Sequence, residues 1–153
     1  MCTAASKDQE DHWSASAYQT SASFVPKLAT KVQSWLDLQS DDVILDIGCG
    51  DGILPLQFTS TLSKGSGSVH GIDSSEAMIA AARQAAREAG LEEAGLCRFE
   101  VLDASRLSTL PASAYTKVFS NAAMHWILRA EPLRASFFRR GQADSAARGG
   151  LCF

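Results

Sequence analysis

The hydrophobic and polar positions along the chain follow two different periods. Short runs of apolar, mainly β-branched residues predict strands buried on both faces of a parallel sheet, at residues 43–47, 68–73, 97–103 and 117–121. Between these runs, apolar residues recur every three or four positions, which predicts helices from Pro26, over 53–63 and from Glu76 to Glu88 or Ala89. Strands that alternate with helices in this way predict an α/β fold with a doubly wound, mostly parallel sheet.

The two ends of the chain differ from this middle part. Residues 1–23 are polar, which predicts an N-terminal arm ahead of a core at 24–138. After Phe138 neither a strand-length apolar run nor a helical stripe follows, so residues 139–153 are predicted to form an irregular tail. A sheet of four parallel strands leaves an outer strand without cover. We therefore expect a fold that is incomplete in its C-terminal half and whose exposed sheet edge permits self-association.

Composition and charge narrow the class of protein. A chain of 153 residues with 46% hydrophobic residues is long enough for one domain with its own core. Its formal net charge of −3 and the lack of a dense basic run argue against nucleic acid as a main ligand. No apolar stretch reaches the roughly 20 residues of a membrane span, and no secretory signal is present. These features predict no membrane contact and a cytoplasmic location, in which the cysteines stay reduced.

Polar residues stand where the predicted strands end. Asp46, Asp73, Asp103 and Asn121 occupy these positions, and in doubly wound sheets ligands bind beyond the carboxyl ends of the strands. Asp46 is followed by glycines at positions 48, 50 and 52, which let the backbone pass close to a ligand. Asp73 lies 23 residues beyond Gly50, where a carboxylate can accept hydrogen bonds from both hydroxyls of a ribose. The sequence thus predicts a nucleoside site, and it suggests no metal site.

The glycine segment narrows the choice of nucleoside. A dinucleotide site has the pattern G-x-G-x-x-G, whereas this chain has G-C-G-D-G, with Asp51 where a diphosphate would approach. A carboxylate repels phosphate but tolerates a ligand that carries ammonium and sulfonium charges. The sequence therefore favours a nucleoside joined to a cationic amino acid, and a nicotinamide-dependent oxidoreductase is the less favoured alternative.

Four segments carry a resemblance to a known family. In chain order they are VILDIGCGDG, GIDSSEAMI, FEVLDASRL and VFSNAAMHWI. Together they resemble the successive strand-end motifs of class I S-adenosylmethionine-dependent methyltransferases, which have a Rossmann-like fold. The segments NAAMHW and AYQTSASFVPKLATKV are most similar to the branch that contains trans-aconitate methyltransferases and their fungal relatives. The resemblance implies S-adenosylmethionine as cofactor and methyl transfer to a small-molecule acceptor, with a carboxylic acid as one candidate.

The resemblance also implies a role for each residue at the strand ends. Asp46, Gly48, Cys49 and Gly50 would hold the methionine end of the cofactor, and Asp73 would bind the ribose hydroxyls. The other implied contacts are those to the adenine, from Ser74, Met78, Asp103 and Ala104, and those beside the sulfonium, from Asn121 and Ala122. Asp73 and Asp103 have an alternative role as caps of the strand ends, and Asp46 as a partner of neighbouring backbone or a lysine.

The acceptor side of the predicted site depends on the last of the four segments. His125 and Trp126 would face the acceptor, and His125 is the predicted catalytic residue. A half-buried histidine that is satisfied by its neighbours is an equally good interpretation. In the family the pattern continues past FFRR with a helix, a fifth strand and a closing hairpin, whereas here it stops. We therefore expect a truncated or frameshifted C-terminal part, and the alternative of a catalytically inactive cofactor-binding or interaction module stays open.

Overall fold

A computed structural model of the chain describes residues 34–111, 113–121, 123–124 and 151–152. In chain order the elements are β1 (Val43–Ile47), α1 (Ile53–Leu62), β2 (Ser68–Asp73), α2 (Glu76–Glu88), β3 (Cys97–Val101), a short 3-10 helix (Ala104–Thr109), β4 (Lys117–Phe119) and β5 (Leu151–Cys152). The predicted N-terminal arm, most of the helix predicted from Pro26 and most of the predicted tail lie outside the described residues. None of the helices described is long and apolar enough to cross a membrane.

The strands form one parallel sheet in the order β3-β2-β1-β4-β5. β1 pairs with β2 from Val43 opposite Ser68 to Ile47 opposite Ile72, and it pairs with β4 on its other side. The chain therefore moves outward from β1 to β3 and then returns to the opposite side of β1. This topology confirms the predicted α/β fold with a doubly wound parallel sheet, and it puts the switch point at the end of β1.

The fifth strand is one that the hydrophobic pattern does not predict. Leu151 and Cys152 pair in parallel with Val118 and Phe119 of β4. A strand of two residues is too short to show a period, so its position beside β4 is what defines it. The boundaries of the predicted arm, core and tail remain predictions.

The sheet separates two hydrophobic clusters. On the face covered by α1 and α2, Ile44, Val69 and Phe99 of the strands pack with Phe58 and Ile79 of the helices. The buried residues of the opposite face are Leu45, Ile47, Ile72, Leu102 and Leu110. Successive residues of β1 thus point into different clusters, which explains why the strand is an almost continuous apolar run.

Local signals set the ends of α2 and β3. Ser75 is the N-cap of α2, and its Oγ accepts a hydrogen bond from the Met78 N–H at 3.3 Å. Gly90 follows the helix with a φ of 68°, as a glycine at a helix C-terminus often does. β3 ends before its predicted limit because Asp103 instead caps the 3-10 helix, where its Oδ1 accepts from the Ser105 N–H at 2.7 Å.

One edge of the described sheet is formed by β3 and the other by β5. Arg83 of α2 donates from Nε and Nη2 to the carbonyl oxygen of Phe99 in β3, at 3.0 and 2.8 Å. One backbone acceptor of the edge strand is therefore occupied from within the chain. Self-association through an exposed sheet edge stays a prediction.

Candidate functional site

A tight loop of glycines connects the end of β1 to α1. Gly48, Gly50 and Gly52 have φ values of 75°, 57° and 81°, a region that side chains with a Cβ rarely adopt. The loop is fixed at its start, because the N–H groups of Gly48 and Cys49 both donate to the Ile72 carbonyl oxygen, at 2.8 and 3.0 Å. The sequence therefore folds here into a turn that is anchored to the end of β2 and exposes its backbone beyond the sheet.

The glycines in and below this loop have different functions. A Cβ at Gly52 would lie 2.9 Å from the Ala82 Cβ, and one at Gly71 would lie 2.6 Å from Phe99 Cδ1 and 2.9 Å from Cys49 Sγ. These two positions are closed by packing. A Cβ at Gly50 would meet no atom of the described chain within 4 Å. Gly50 thus borders space that no other described residue fills.

Asp73 ties the glycine loop to the start of α2. Its Oδ2 accepts a hydrogen bond from the Gly50 N–H at 3.0 Å, and its Oδ1 accepts one from the Ser75 N–H at 2.9 Å. Each carboxylate oxygen can accept a further hydrogen bond. Asp73 therefore acts as a cap, which is one of its two predicted roles, and it keeps acceptor capacity for a ligand beside Gly50.

Asp46 lies in β1 just before the loop and is 2% exposed. Its Oδ1 is buried and has no hydrogen-bond partner among the described residues. Burial, and secondarily the charge of Asp73, raise the pKa of Asp46 well above its ordinary value. An unpaired carboxyl group in this position costs stability, so its presence beneath the loop is the strongest sign of a binding role in the described structure.

Asp51, at the far end of the loop, is 6% exposed and is also incompletely paired. Its Oδ1 accepts from the Ile53 N–H at 3.4 Å, while its buried Oδ2 has no partner within the described residues. Burial first, and then the charges of Asp46, Asp73 and Asp51, raise the pKa of the Cys49 thiol. Three carboxyl groups therefore surround Cys49, and in the part of the chain that is described no salt bridge neutralises any of them.

The predicted adenine side of the site is formed by the ends of β2 and β3. Asp73 lies opposite Val101 in the parallel register, so the segments that follow these two strands are neighbours. Met78 is buried, Ser74 and Asp103 are exposed, and Ala104 is partly buried. The exposed Asp103 caps the 3-10 helix, whereas the alternative role predicted for it is a cap of the strand end.

The end of β4 brings a further predicted residue to the same edge of the sheet. Ser120 donates from Oγ to the Ile47 carbonyl oxygen at 2.7 Å and so holds the segment after β4 against the end of β1. Asn121 follows and is partly buried. The structure thus puts Asn121 at the carboxyl end of the parallel strands, where Asp46 and Asp73 also lie. Ala122, His125 and Trp126 lie outside the described residues, and their roles remain predictions.

Sequence reasoning missed one polar cluster, which lies away from this site. His70 is buried in β2, its Nδ1 lies 2.7 Å from the Tyr115 hydroxyl oxygen, and Arg98 Nη2 donates to the same nitrogen at 3.0 Å. On the other side of the ring, Nε2 lies 3.2 Å from Glu100 Oε2. These partners come from separate segments of the chain, so no spacing in the sequence indicates the cluster.

Comparison with known proteins decides the family. A family model described as a methyltransferase domain matches residues 44–140. The chain belongs to this methyltransferase family. Its matched region begins in β1 and includes the ends of β1, β2, β3 and β4. The match confirms the predicted class I S-adenosylmethionine-dependent family and, with it, the family's cofactor.

Individual relatives agree with this assignment. An uncharacterized methyltransferase of Schizosaccharomyces pombe is 45% identical over 120 residues, which cover 78% of this chain and 42% of the relative. An S-adenosyl-L-methionine-dependent Diels-Alderase of Talaromyces variabilis is 29% identical over 113 residues, which cover 74% of this chain and 37% of that protein. The chain thus spans about two fifths of the length of these curated relatives.

A solved structure supports the fold independently of close sequence similarity. A putative S-adenosyl-L-methionine-dependent methyltransferase of Methanococcus maripaludis matches with a TM-score of 0.64 and 15% identity. The match covers 82% of this chain and 54% of that protein. At this identity the likeness concerns the fold alone.

Proposed function

We propose that this chain holds S-adenosylmethionine across the carboxyl ends of β1, β2 and β3, and that the protein transfers the methyl group to a small-molecule acceptor. The observation that carries the proposal is Asp46, a fully buried carboxyl group beneath the glycine loop whose Oδ1 has no partner among the described residues. A ligand with an ammonium group would supply the missing partner.

The described residues fit the cofactor in three respects. The carboxyl groups of Asp46 and Asp51 are buried with unpaired oxygens, which suits the cationic methionine end. Asp73 holds the Gly50 N–H and retains acceptor capacity for ribose hydroxyls. Gly50 leaves open space at its Cα for the ligand. Ser74, Met78, Asp103 and Ala104 are proposed to border the adenine, and Gly48, Cys49 and Asn121 the methionine end.

The proposed reaction needs little acid or base catalysis from the residues of the chain. When bound, S-adenosylmethionine supplies an electrophilic methyl carbon on a sulfonium sulfur. The residues around the loop then contribute by fixing the orientation of the ligand and by excluding water. A carboxylate acceptor is already nucleophilic at neutral pH, so His125 is proposed to orient it or balance its charge.

We propose a carboxylic acid as the first class of acceptor to test. The proposal is supported by the resemblance of NAAMHW to the trans-aconitate methyltransferase branch. The acidic net charge of −3 favours a small molecule over a nucleic acid as the acceptor.

The binding half of the proposal is tested by calorimetric titration of the 153-residue chain with S-adenosylhomocysteine. We expect a micromolar Kd, about −8 kcal/mol. Asp73→Asn should weaken binding about tenfold or more, because the amide cannot accept from two backbone N–H groups and two hydroxyls. Asp41→Asn, an exposed position ahead of β1, is the matched control and should bind normally. A folded wild-type chain that binds no S-adenosylhomocysteine would overturn the proposal.

The transfer half is tested with S-adenosylmethionine that carries a labelled methyl group and a panel of small carboxylic acids. Label in an acid-derived ester supports the proposal. Because one relative is named a Diels-Alderase, the panel should include a polyene, and cyclisation without incorporation of label would overturn methyl transfer while leaving cofactor binding in place.

A further inference from the structure

The surroundings of Asp46 contain acidic groups and no described cation. The end of β2 contributes Asp73, whose charge acts on Asp46, and the glycine loop contributes Cys49, whose thiol is influenced by the charges of Asp46 and Asp51. The neighbours of Asp46 in the sheet are Gly71 and Phe119, neither of which is charged. α1 packs on this face of the sheet and has no ionisable residue in the sequence ILPLQFTSTL. α2 packs on the same face through apolar residues, and its Arg83 is bound to the Phe99 carbonyl oxygen of β3. Residues 120–121 and 123–124 add no ionisable group.

A carboxylate cannot remain charged at low cost in such surroundings. Asp46 is 2% exposed and its Oδ1 accepts no hydrogen bond from the described residues. Its low exposure keeps the group away from bulk water, and no ion pair involves it among the described residues, so the neutral acid is favoured, in agreement with the raised pKa of this group. The arrival of an ammonium group would reverse this balance, since it brings both a positive charge and hydrogen-bond donors.

We infer that cofactor binding is coupled to the loss of a proton from Asp46, so that the empty site holds the carboxylic acid and the occupied site holds the carboxylate. In this step the O–H bond of the Asp46 carboxyl group breaks, the proton passes to the buffer, and the carboxylate accepts a hydrogen bond from the ligand's ammonium group. The inference rests on the proposed function, because it requires a ligand with that group at the end of β1.

Two other ionisable groups, Cys49 and His70, are not the source of the released proton. Burial and the three carboxyl groups raise the pKa of Cys49, so its thiol keeps its proton at neutral pH whether or not a cation is bound nearby. His70 belongs to the opposite face of the sheet, since it precedes Ile72 by two residues and contacts Tyr115 and Glu100. Asp46 is the buried carboxyl group in β1 itself, and its pKa is raised.

The inference predicts a proton count that calorimetry can measure directly. Titration with S-adenosylhomocysteine at one pH, in buffers of different ionisation enthalpy, should show release of a substantial fraction of a proton, up to about one per ligand. Over the same pH range the affinity should rise with pH, by up to about tenfold per pH unit. 5′-Methylthioadenosine, which lacks the ammonium group, is the matched ligand and should release no proton.

Two variants test whether the released proton comes from Asp46 or from another group of the chain. Asp46→Asn should bind S-adenosylhomocysteine more weakly and with no proton release, whereas Asp41→Asn should give the wild-type count. Binding by the wild-type chain without proton release would overturn the inference and leave the proposed function standing, as would proton release that persists in Asp46→Asn. If the folded wild-type chain binds neither ligand, the proposed function fails and this inference fails with it.

Discussion

Two buried aspartates at opposite ends of β1 have opposite surroundings. Asp42, 6% exposed, precedes the strand and accepts hydrogen bonds from the Gln39 N–H at 2.7 Å and the Thr116 hydroxyl at 2.7 Å. Lys117 Nζ also lies 2.8 Å from its Oδ2. Asp46, near the other end of the strand, has an unpaired Oδ1 within the described structure. The aspartate at one end of the strand therefore has hydrogen-bond partners for both of its carboxylate oxygens, whereas the aspartate at the other end has an oxygen without a partner among the described residues.

The difference shows how a fold separates stability from binding. Burial alone would raise the pKa of Asp42, but its hydrogen bonds with Lys117, Gln39 and Thr116 outweigh burial and lower that pKa. At Asp46 burial is not opposed, and the pKa is raised. The amino end of the sheet thus gains stability from its carboxylate, whereas the carboxyl end carries a cost that a ligand can offset.

The largest expected effect is the loss of stability in Asp42→Ala. Removal of the carboxylate takes one hydrogen-bond partner each from the Lys117 ammonium, the Thr116 hydroxyl and the Gln39 N–H, which should cost about 3 kcal/mol of unfolding free energy. Urea denaturation at pH 7 measures this change. Asp41→Ala, at the adjacent exposed position, is the control and should change stability by less than about 0.5 kcal/mol.

The hydrogen bonds of Asp42 also predict how the stability of the folded chain depends on pH. The pKa of Asp42 is lower in the folded than in the unfolded chain, so its contribution is present above the ordinary value of 3.8 and is lost as pH falls through the folded value. The wild-type chain should therefore lose its advantage over Asp42→Ala in this acid range. A constant difference between the two proteins down to pH 2 would contradict the assigned network.

The sequence predicts one half of this comparison better than the other. The apolar run of β1 and the glycines after Asp46 are local patterns, and each is present as predicted. The Asp42 network depends on Thr116 and Lys117, which are 74 and 75 residues further along the chain. No local period indicates such a contact.

The limits of prediction at the site have a similar cause. The strand-end position of Asp46 identified it as a candidate, but only the packing of α1 and the loop shows that its carboxyl group is buried. Asp51 was expected to face a ligand, and its burial depends on the turn that leads into α1. The sequence predicts that β3 extends to Asp103, two residues beyond its end at Val101. The prediction is wrong because an aspartate after a strand can either extend the strand or cap the next helix.

The second largest effect is expected from glycines that support the binding end. In Gly71→Ala, the new Cβ would lie 2.6 Å from the Phe99 ring and 2.9 Å from Cys49 Sγ, and displacement of both should cost about 2 kcal/mol of stability. The loop above should shift, which weakens binding of S-adenosylhomocysteine. Thermal unfolding and calorimetric titration measure the two effects.

Gly50→Ala is the matched variant for that prediction. Its Cβ meets no described atom within 4 Å, so its cost in stability should be limited to the strain of a positive φ, about 1 kcal/mol. Its Cβ would nevertheless occupy the space proposed for the ligand. Loss of binding with little loss of stability would support that placement, and unchanged binding would contradict it.

Asp46→Asn should have a smaller effect on stability, and one of the opposite sign. The folded pKa of Asp46 is raised, so the stability of the protonated form is fully present below the unfolded pKa and is lost as pH rises through the folded value. The amide removes this loss, and the variant should be more stable than the wild-type chain by roughly 1 kcal/mol at pH 8. Urea denaturation at pH 5 and pH 8 tests the sign. A destabilised variant at pH 8 would show that Asp46 has a structural partner.

The smallest effect concerns His70, a polar residue between these extremes, which is buried and contacted from both sides of its ring. Burial and the Arg98 charge lower its pKa, while Glu100 opposes them. The unfolded chain therefore takes up a proton at His70 first, and stability should fall as pH drops below the ordinary value of 6.5. His70→Gln should flatten the dependence between pH 7 and pH 5, whereas Glu100→Gln should make it steeper because the opposing charge is gone. If stability depends on pH with the same slope in all three proteins, His70 does not titrate differently in the folded chain. The contrast between the two ends of β1 would then rest on Asp42 and Asp46 alone.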